Sequence, residues 1–96
     1  MTGKQRAYLR GLANGAETIL MVGKGGITEN VVKQAEEALT ARELIKGKVL
    51  EAAMLTAAEA AANLAEATGA ETVQTIGSRF VLYRPNPDAP KITLPK

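Results

Sequence analysis

The chain has 96 residues, 12 Lys and Arg against 10 Asp and Glu, and no Cys, His or Trp. That length holds one domain with a small core, so residues 1–96 are read as a single unit. The missing residue types remove disulfides, thiolate metal sites, the commonest general base and the best nucleophile, and with them most enzyme chemistry.

The N-terminus, Met1 to Arg6, has no apolar stretch after its charges, and no later run approaches the roughly 20 apolar residues of a membrane helix. A soluble, cytoplasmic domain is expected. Thr2 with Gln5 three residues later is a capping-box pattern and opens a helix over about residues 3–13. Leu9, Leu12 and Tyr8 recur at helical spacing, which turns Tyr8 to the core. Asn14-Gly15 ends the helix through residues that tolerate a left-handed exit.

Residues 18–22, Thr-Ile-Leu-Met-Val, read as a buried strand. Gly23-Lys24-Gly25-Gly26 follows, and Thr28 then caps a second helix that reaches about Ala41. Residues 44–50 alternate. Ile45, Gly47 and Val49 share one side, while Leu44, Lys46 and Lys48 make the other side basic. Thr56 and Glu59 form a second capping box, and an Ala-rich helix runs from there to Thr68, with Gly69 as its stop. Strands over 72–76 and 80–84 flank Gly77-Ser78-Arg79 as a hairpin. Ile92-Thr93-Leu94 is expected to add a short edge segment or to pack on the surface. The order αβαβαββ predicts an α/β two-layer sandwich on a mixed four-stranded sheet.

Charge is separated along the chain. Residues 1–48 carry eight bases and five acids, residues 49–78 carry four Glu and no base, and residues 79–96 carry four bases and one acid. Lys4, Arg6, Arg10, Lys24, Lys46, Lys48, Arg79 and Arg84 form one basic patch if the first helix, the glycine loop and the strand ends share a surface.

The glycine loop lies between a strand and a helix N-terminus, where unpaired N–H groups and the helix dipole favour an anion. It lacks the spacing of a Walker loop, and Thr28 stands where a dinucleotide fingerprint needs its third glycine. A G-x-x-G loop that clamps a nucleic-acid backbone, as in KH modules, fits better.

Lys4-Gln5-Arg6, Leu9-Arg10-Gly11-Leu12-Ala13, Val22-Gly23-Lys24-Gly25-Gly26-Ile27-Thr28, Glu43-Leu44-Ile45-Lys46, Ala67-Thr68-Gly69-Ala70 and Val81-Leu82-Tyr83-Arg84-Pro85 occur in this order. Together they resemble the CRM domain (chloroplast RNA splicing and ribosome maturation), in its single-domain bacterial YhbY form. The resemblance spans about Thr2 to Pro95. It implies a fold similar to the C-terminal domain of translation initiation factor three. It also implies RNA as the partner, specifically ribosomal RNA in precursors of the large subunit, with ribosomal proteins nearby. The family's G-x-x-G loop maps onto Gly23 to Gly26, its basic helix onto Lys4, Arg6 and Arg10, and its Leu-Tyr-Arg-Pro onto Leu82 to Pro85. There are two departures. Members often carry proline before the first strand, where Asn14-Gly15-Ala16-Glu17 stands. Gly47 replaces the usual β-branched residue, which weakens that strand.

The RNA-binding reading uses the amides of Gly23, Gly25 and Gly26 with Lys24, extended by Lys4, Arg6, Arg10, Lys46, Lys48, Arg79 and Arg84. With Tyr8, Phe80 and Tyr83 as the only aromatics, and the last two on opposite sides of a strand, no stack of several bases is expected. A competing reading docks a protein partner on the acidic, Ala-rich third helix. No metal, cofactor or catalytic residue is expected. Ser78 has no His to activate it, and the adjacent Glu36 and Glu37 diverge on their helix.

Overall fold

Each helix begins on a threonine whose hydroxyl accepts a backbone N–H that the helix itself cannot satisfy. Thr2 accepts from Gln5, Thr28 from Val31 and Thr56 from Glu59 at 3.0–3.2 Å. Gln5 and Glu59 return the bond to the Thr2 and Thr56 N–H groups, completing two capping boxes. The computed structural model describes residues 1–95. It has α1 (Gly3–Asn14), β1 (Thr18–Val22), α2 (Glu29–Arg42), β2 (Leu44–Val49), a 3-10 turn (Glu51–Ala53), α3 (Ala57–Thr68), β3 (Glu71–Ile76) and β4 (Arg79–Tyr83). Ile92 to Leu94 form no strand.

The sheet order is β1-β2-β4-β3. β1 and β2 are parallel, and β4 is antiparallel to both neighbours. β2 and β3 therefore do not touch, because the hairpin folds β4 back between them. The hairpin loop is tighter than the sequence suggests. Arg79 pairs with Ile76, leaving Gly77-Ser78 as a two-residue turn with φ 57° at Gly77, as a type II′ turn requires.

Alternation along the strands builds two cores. On one side Leu20, Val22, Ile45, Val49, Phe80 and Leu82 pack under Val31, Ala35 and Leu39 of α2 and Ala57, Ala60, Ala61 and Leu64 of α3. Ala57, Ala60 and Ala61 of α3 thus face inward, while Ala58, Ala62 and Ala67 stay exposed on the side that carries Glu59 and Glu66. On the other side Val73, Val81 and Tyr83 pack against Leu9 and Ala13 of α1, with Leu44, Ile92 and Leu94 at the margin. The α/β order and the mixed sheet are as read. The layering is fuller than two, because the apolar residues on the second face also need cover, and α1 with the C-terminal tail supplies it. α1 covers only part of that face. Leu9 and Ala13 are buried, whereas Tyr8 and Leu12 stay largely exposed, contrary to the expectation for Tyr8. The α1 exit also differs. Gly15 is right-handed at φ −93°, and its N–H reaches Leu12 O, tightening the last turn.

Gly47 has a positive role. It pairs with Phe80, and a Cβ built on it would lie 2.3–2.9 Å from the Phe80 ring. The ring occupies the place of a side chain, so glycine here is a packing requirement and not a local weakness.

Glu43 joins α2 to β2 at φ 65°, a costly conformation for a residue with a Cβ. Its carboxylate is buried and accepts three backbone N–H groups of the tail. These are Asn86 at 2.6 Å, Lys91 at 2.6 Å and Ile92 at 2.8 Å. Its own C=O accepts the Arg84 N–H at 2.9 Å. Burial pushes the carboxyl pKa up, but the three N–H donors and the nearby Lys91 outweigh that and hold it below its ordinary value of 4.5.

Two outcomes follow. Gly47→Ala should lose about 2 kcal/mol in urea denaturation through overpacking, and Phe80→Leu in that background should recover part of it. The Glu43 carboxylate has a lowered pKa when folded, so its contribution is complete above the unfolded pKa and lost as pH falls through the folded one. Stability measured from pH 7 downward should therefore fall below about pH 4.5. Glu43→Gln should cost about 2 kcal/mol at pH 7 and flatten that decline.

Candidate nucleic-acid interface

The C-terminal ends of β1 and β2 lie side by side, since Val22 pairs with Val49 and Leu50 N–H donates to Val22 O. The chain leaves β1 there through the glycine loop. Gly26 N–H donates to Gly23 O at 3.0 Å, closing a four-residue turn, and Thr28 N–H donates to Gly26 O at 3.2 Å. Gly25 at φ 101° and Gly26 at φ 68° adopt backbone that side chains disfavour. The Gly26 amide is thereby spent on the turn itself. The N–H groups of Lys24, Gly25 and Ile27 have no protein acceptor among the described residues. Gly23 differs from its neighbours. Its φ is not positive, and a Cβ there would make only ordinary 3.6 Å contact with Leu50. The fold needs glycine at 25 and 26 and has no need of it at 23.

Across the sheet face that α1 leaves open, register aligns one residue from each strand: Met21, Lys48, Arg79 and Ile76. Two cations stand at the centre, with exposed apolar side chains at the edges. Met21 was read within a buried strand, but β1 is an edge strand covered on one face, and alternation between buried Leu20 and Val22 turns Met21 outward. Below this row a hollow of about 130 Å³ lies between Asn14, Lys46, Gln74 and Arg79. Lys46 donates to Ala13 O at 3.2 Å, closing the end of α1.

The eight cations of the sequence reading divide by position. Lys24, Lys48 and Arg79 belong to the end of the sheet that carries the glycine turn, and Lys46 lies one row below. Arg10 is exposed on α1, one turn before Asn14, and Lys4 is exposed in its first turn. Arg6 is turned inward and donates to Thr72 O at 2.6 Å, which ties α1 to β3. Arg84 is not brought to the loop. β4 starts at the loop end and runs away from it, so Arg79 and Arg84 sit at opposite ends. There Arg84 pairs with Glu36 at 2.9 Å and donates to Thr68 O and Thr40 Oγ1, binding α2, α3 and β4 together.

The open row was missed because its members lie on four strands; only the period-2 pattern of β1 hinted at Met21. Burial, then Glu43 and Glu71, push the Tyr83 hydroxyl pKa up, and both Phe80 and Tyr83 lie in the cores. Among the described residues no group of three or more His, Cys, Asp or Glu could hold a metal ion, and no helix is long and apolar enough to cross a membrane.

Comparison with known proteins bears on what such a surface contacts. The pattern of the CRS1 / YhbY (CRM) domain matches residues 1–84. The "Probable RNA-binding protein YqeI" of Bacillus subtilis is 42% identical over 95 residues, covering 99% of both chains. A Haemophilus influenzae protein named "RNA-binding protein" is 42% identical over 96 residues, covering 100% of this chain and 96% of its own. The solution structure of SAV1595 from Staphylococcus aureus superimposes with a TM-score of 0.79 at 44% identity, covering 99% of each chain.

Proposed function

The chain belongs to the CRS1/YhbY (CRM) domain family, and on that premise we propose that it binds RNA in the cytoplasm through the glycine turn and the open basic row. The observation that carries this reading is Gly23. A glycine that neither backbone conformation nor packing demands stands beside three unpaired N–H groups, where a phosphate can reach the backbone only if no side chain intervenes. Lys24 supplies charge at the tip, and Lys48 and Arg79 continue it over the sheet face, with Arg10 and Lys4 on the flanking helix. Arg6 and Lys46 act mainly by holding α1 against the sheet, and Arg84 ties α2, α3 and β4 together at the far end, through the carbonyls and the carboxylate they already engage.

The finer reading is that the RNA is ribosomal RNA in a precursor of the large subunit, and that the protein acts in ribosome assembly. It rests on the family resemblance. A protein of 96 residues that grips backbone phosphates suits a structured RNA, which presents many phosphates at fixed spacing. The role is one of binding, performed by amides and cations.

With Arg10, Lys24, Lys48 and Arg79 each on one phosphate, log affinity for structured ribosomal RNA should fall with log salt with a slope of about −3. A flat slope in a filter-binding titration would sink the proposal. Gly23→Ala should keep its melting temperature yet bind roughly tenfold more weakly, a loss of about 1.4 kcal/mol. Unchanged affinity in that folded variant would remove the turn from the interface.

A further inference from the structure

Met54 is 91% exposed, more than any other large apolar side chain among the described residues. It follows the 3-10 turn in left-handed backbone, φ 56° and ψ 34°, which disfavours a residue with a Cβ. Neither burial nor a turn glycine compensates for that conformation. An exposed apolar side chain held in costly backbone suggests a surface waiting for a contact.

What lies beside it defines the contact. A groove of about 560 Å³ runs between this segment and the glycine turn, lined by Lys24, Gly26, Ile27, Met54, Leu55 and Asn63. Ile27 and Leu55 are half-buried against the core and make an apolar floor. Asn63 on α3 brings an amide that can both donate and accept. Lys24 and the free N–H groups of the turn stand at the rim. Among the described residues no carboxylate lines the groove. Glu59, one turn before Asn63, is folded back onto the Thr56 N–H at 3.0 Å.

One positive edge, an apolar floor and one neutral hydrogen-bonding group match the parts of a single nucleotide. We propose that this groove takes one unpaired ribonucleotide. Its phosphate rests on the turn amides and Lys24, its base lies against Met54 over Ile27 and Leu55, and Asn63 meets the base edge. The proposal builds on the RNA-binding reading and specifies that the structured RNA presents an unpaired or bulged nucleotide to this groove. A paired base cannot supply this contact, because both its faces are already stacked in the duplex. The thioether of methionine is polarizable and suits a flat π-system.

The test uses the full chain with its methionine methyls labelled, titrated with a short single-stranded oligoadenylate and, separately, with a short RNA duplex. The Met54 methyl should shift upfield with the single strand and stay in place with the duplex. Met54→Asn, which left-handed backbone tolerates, should weaken single-strand binding roughly tenfold. It should leave duplex affinity and melting temperature unchanged. A stationary Met54 methyl with moving amides at Lys24 to Ile27 would overturn the groove and leave the RNA-binding reading intact. If neither moves with any RNA, both fall.

Discussion

The Phe80 ring lying over Gly47 is the constraint from which the rest of the sheet follows. A side chain at 47 would collide with it, so β2 and β4 fit together only in this register. Strand side chains alternate, and with Phe80 inward, Arg79 and Val81 must point to the other face. A slip of one residue would bury Arg79 and expose Phe80, exchanging a large apolar contact for an unpaired charge. The packing that stabilises one face of the sheet therefore also places Arg79 beside Lys48 on the other. The basic row is a consequence of the core.

The two ends of the sheet use their polar groups differently. At the end that carries Glu43 and Arg84, carboxylate and guanidinium are consumed by neighbours, and they hold the tail and the ends of α2 and α3. The tail in turn places Ile92 and Leu94 against the second core. At the other end the glycine turn leaves N–H groups and cations without partners among the described residues. Such unequal satisfaction is what a binding surface requires, since groups already bonded inside the protein have little to offer a ligand.

Much of the local structure was legible from short-range chemistry. Three threonine caps, two capping boxes and Gly69 set helix ends that match the structure within a residue or two, because a cap is satisfied by neighbours only a few positions away. The α1 exit was misread because glycine is permitted left-handed backbone but not compelled to use it. Tyr8 was misplaced because helical spacing shows which residues share a face, and the width of the buried stripe depends on what packs against it. The Met54 turn carried no sequence signal. A 3-10 turn in an Ala-rich stretch looks like ordinary helix former until the chain must bend from β2 into α3.

By itself, then, the order of residues determined the elements, their αβαβαββ order and the position of the glycine turn. All of these depend on residue types or on contacts within one turn of chain. Only the tertiary structure decided which cations are free. Arg6, Lys46 and Arg84 look like Arg10, Lys48 and Arg79 in the sequence, but the first three find carbonyl or carboxylate acceptors on distant elements. Charge is a property of a residue, whereas its availability depends on what the fold brings within about 3 Å of it.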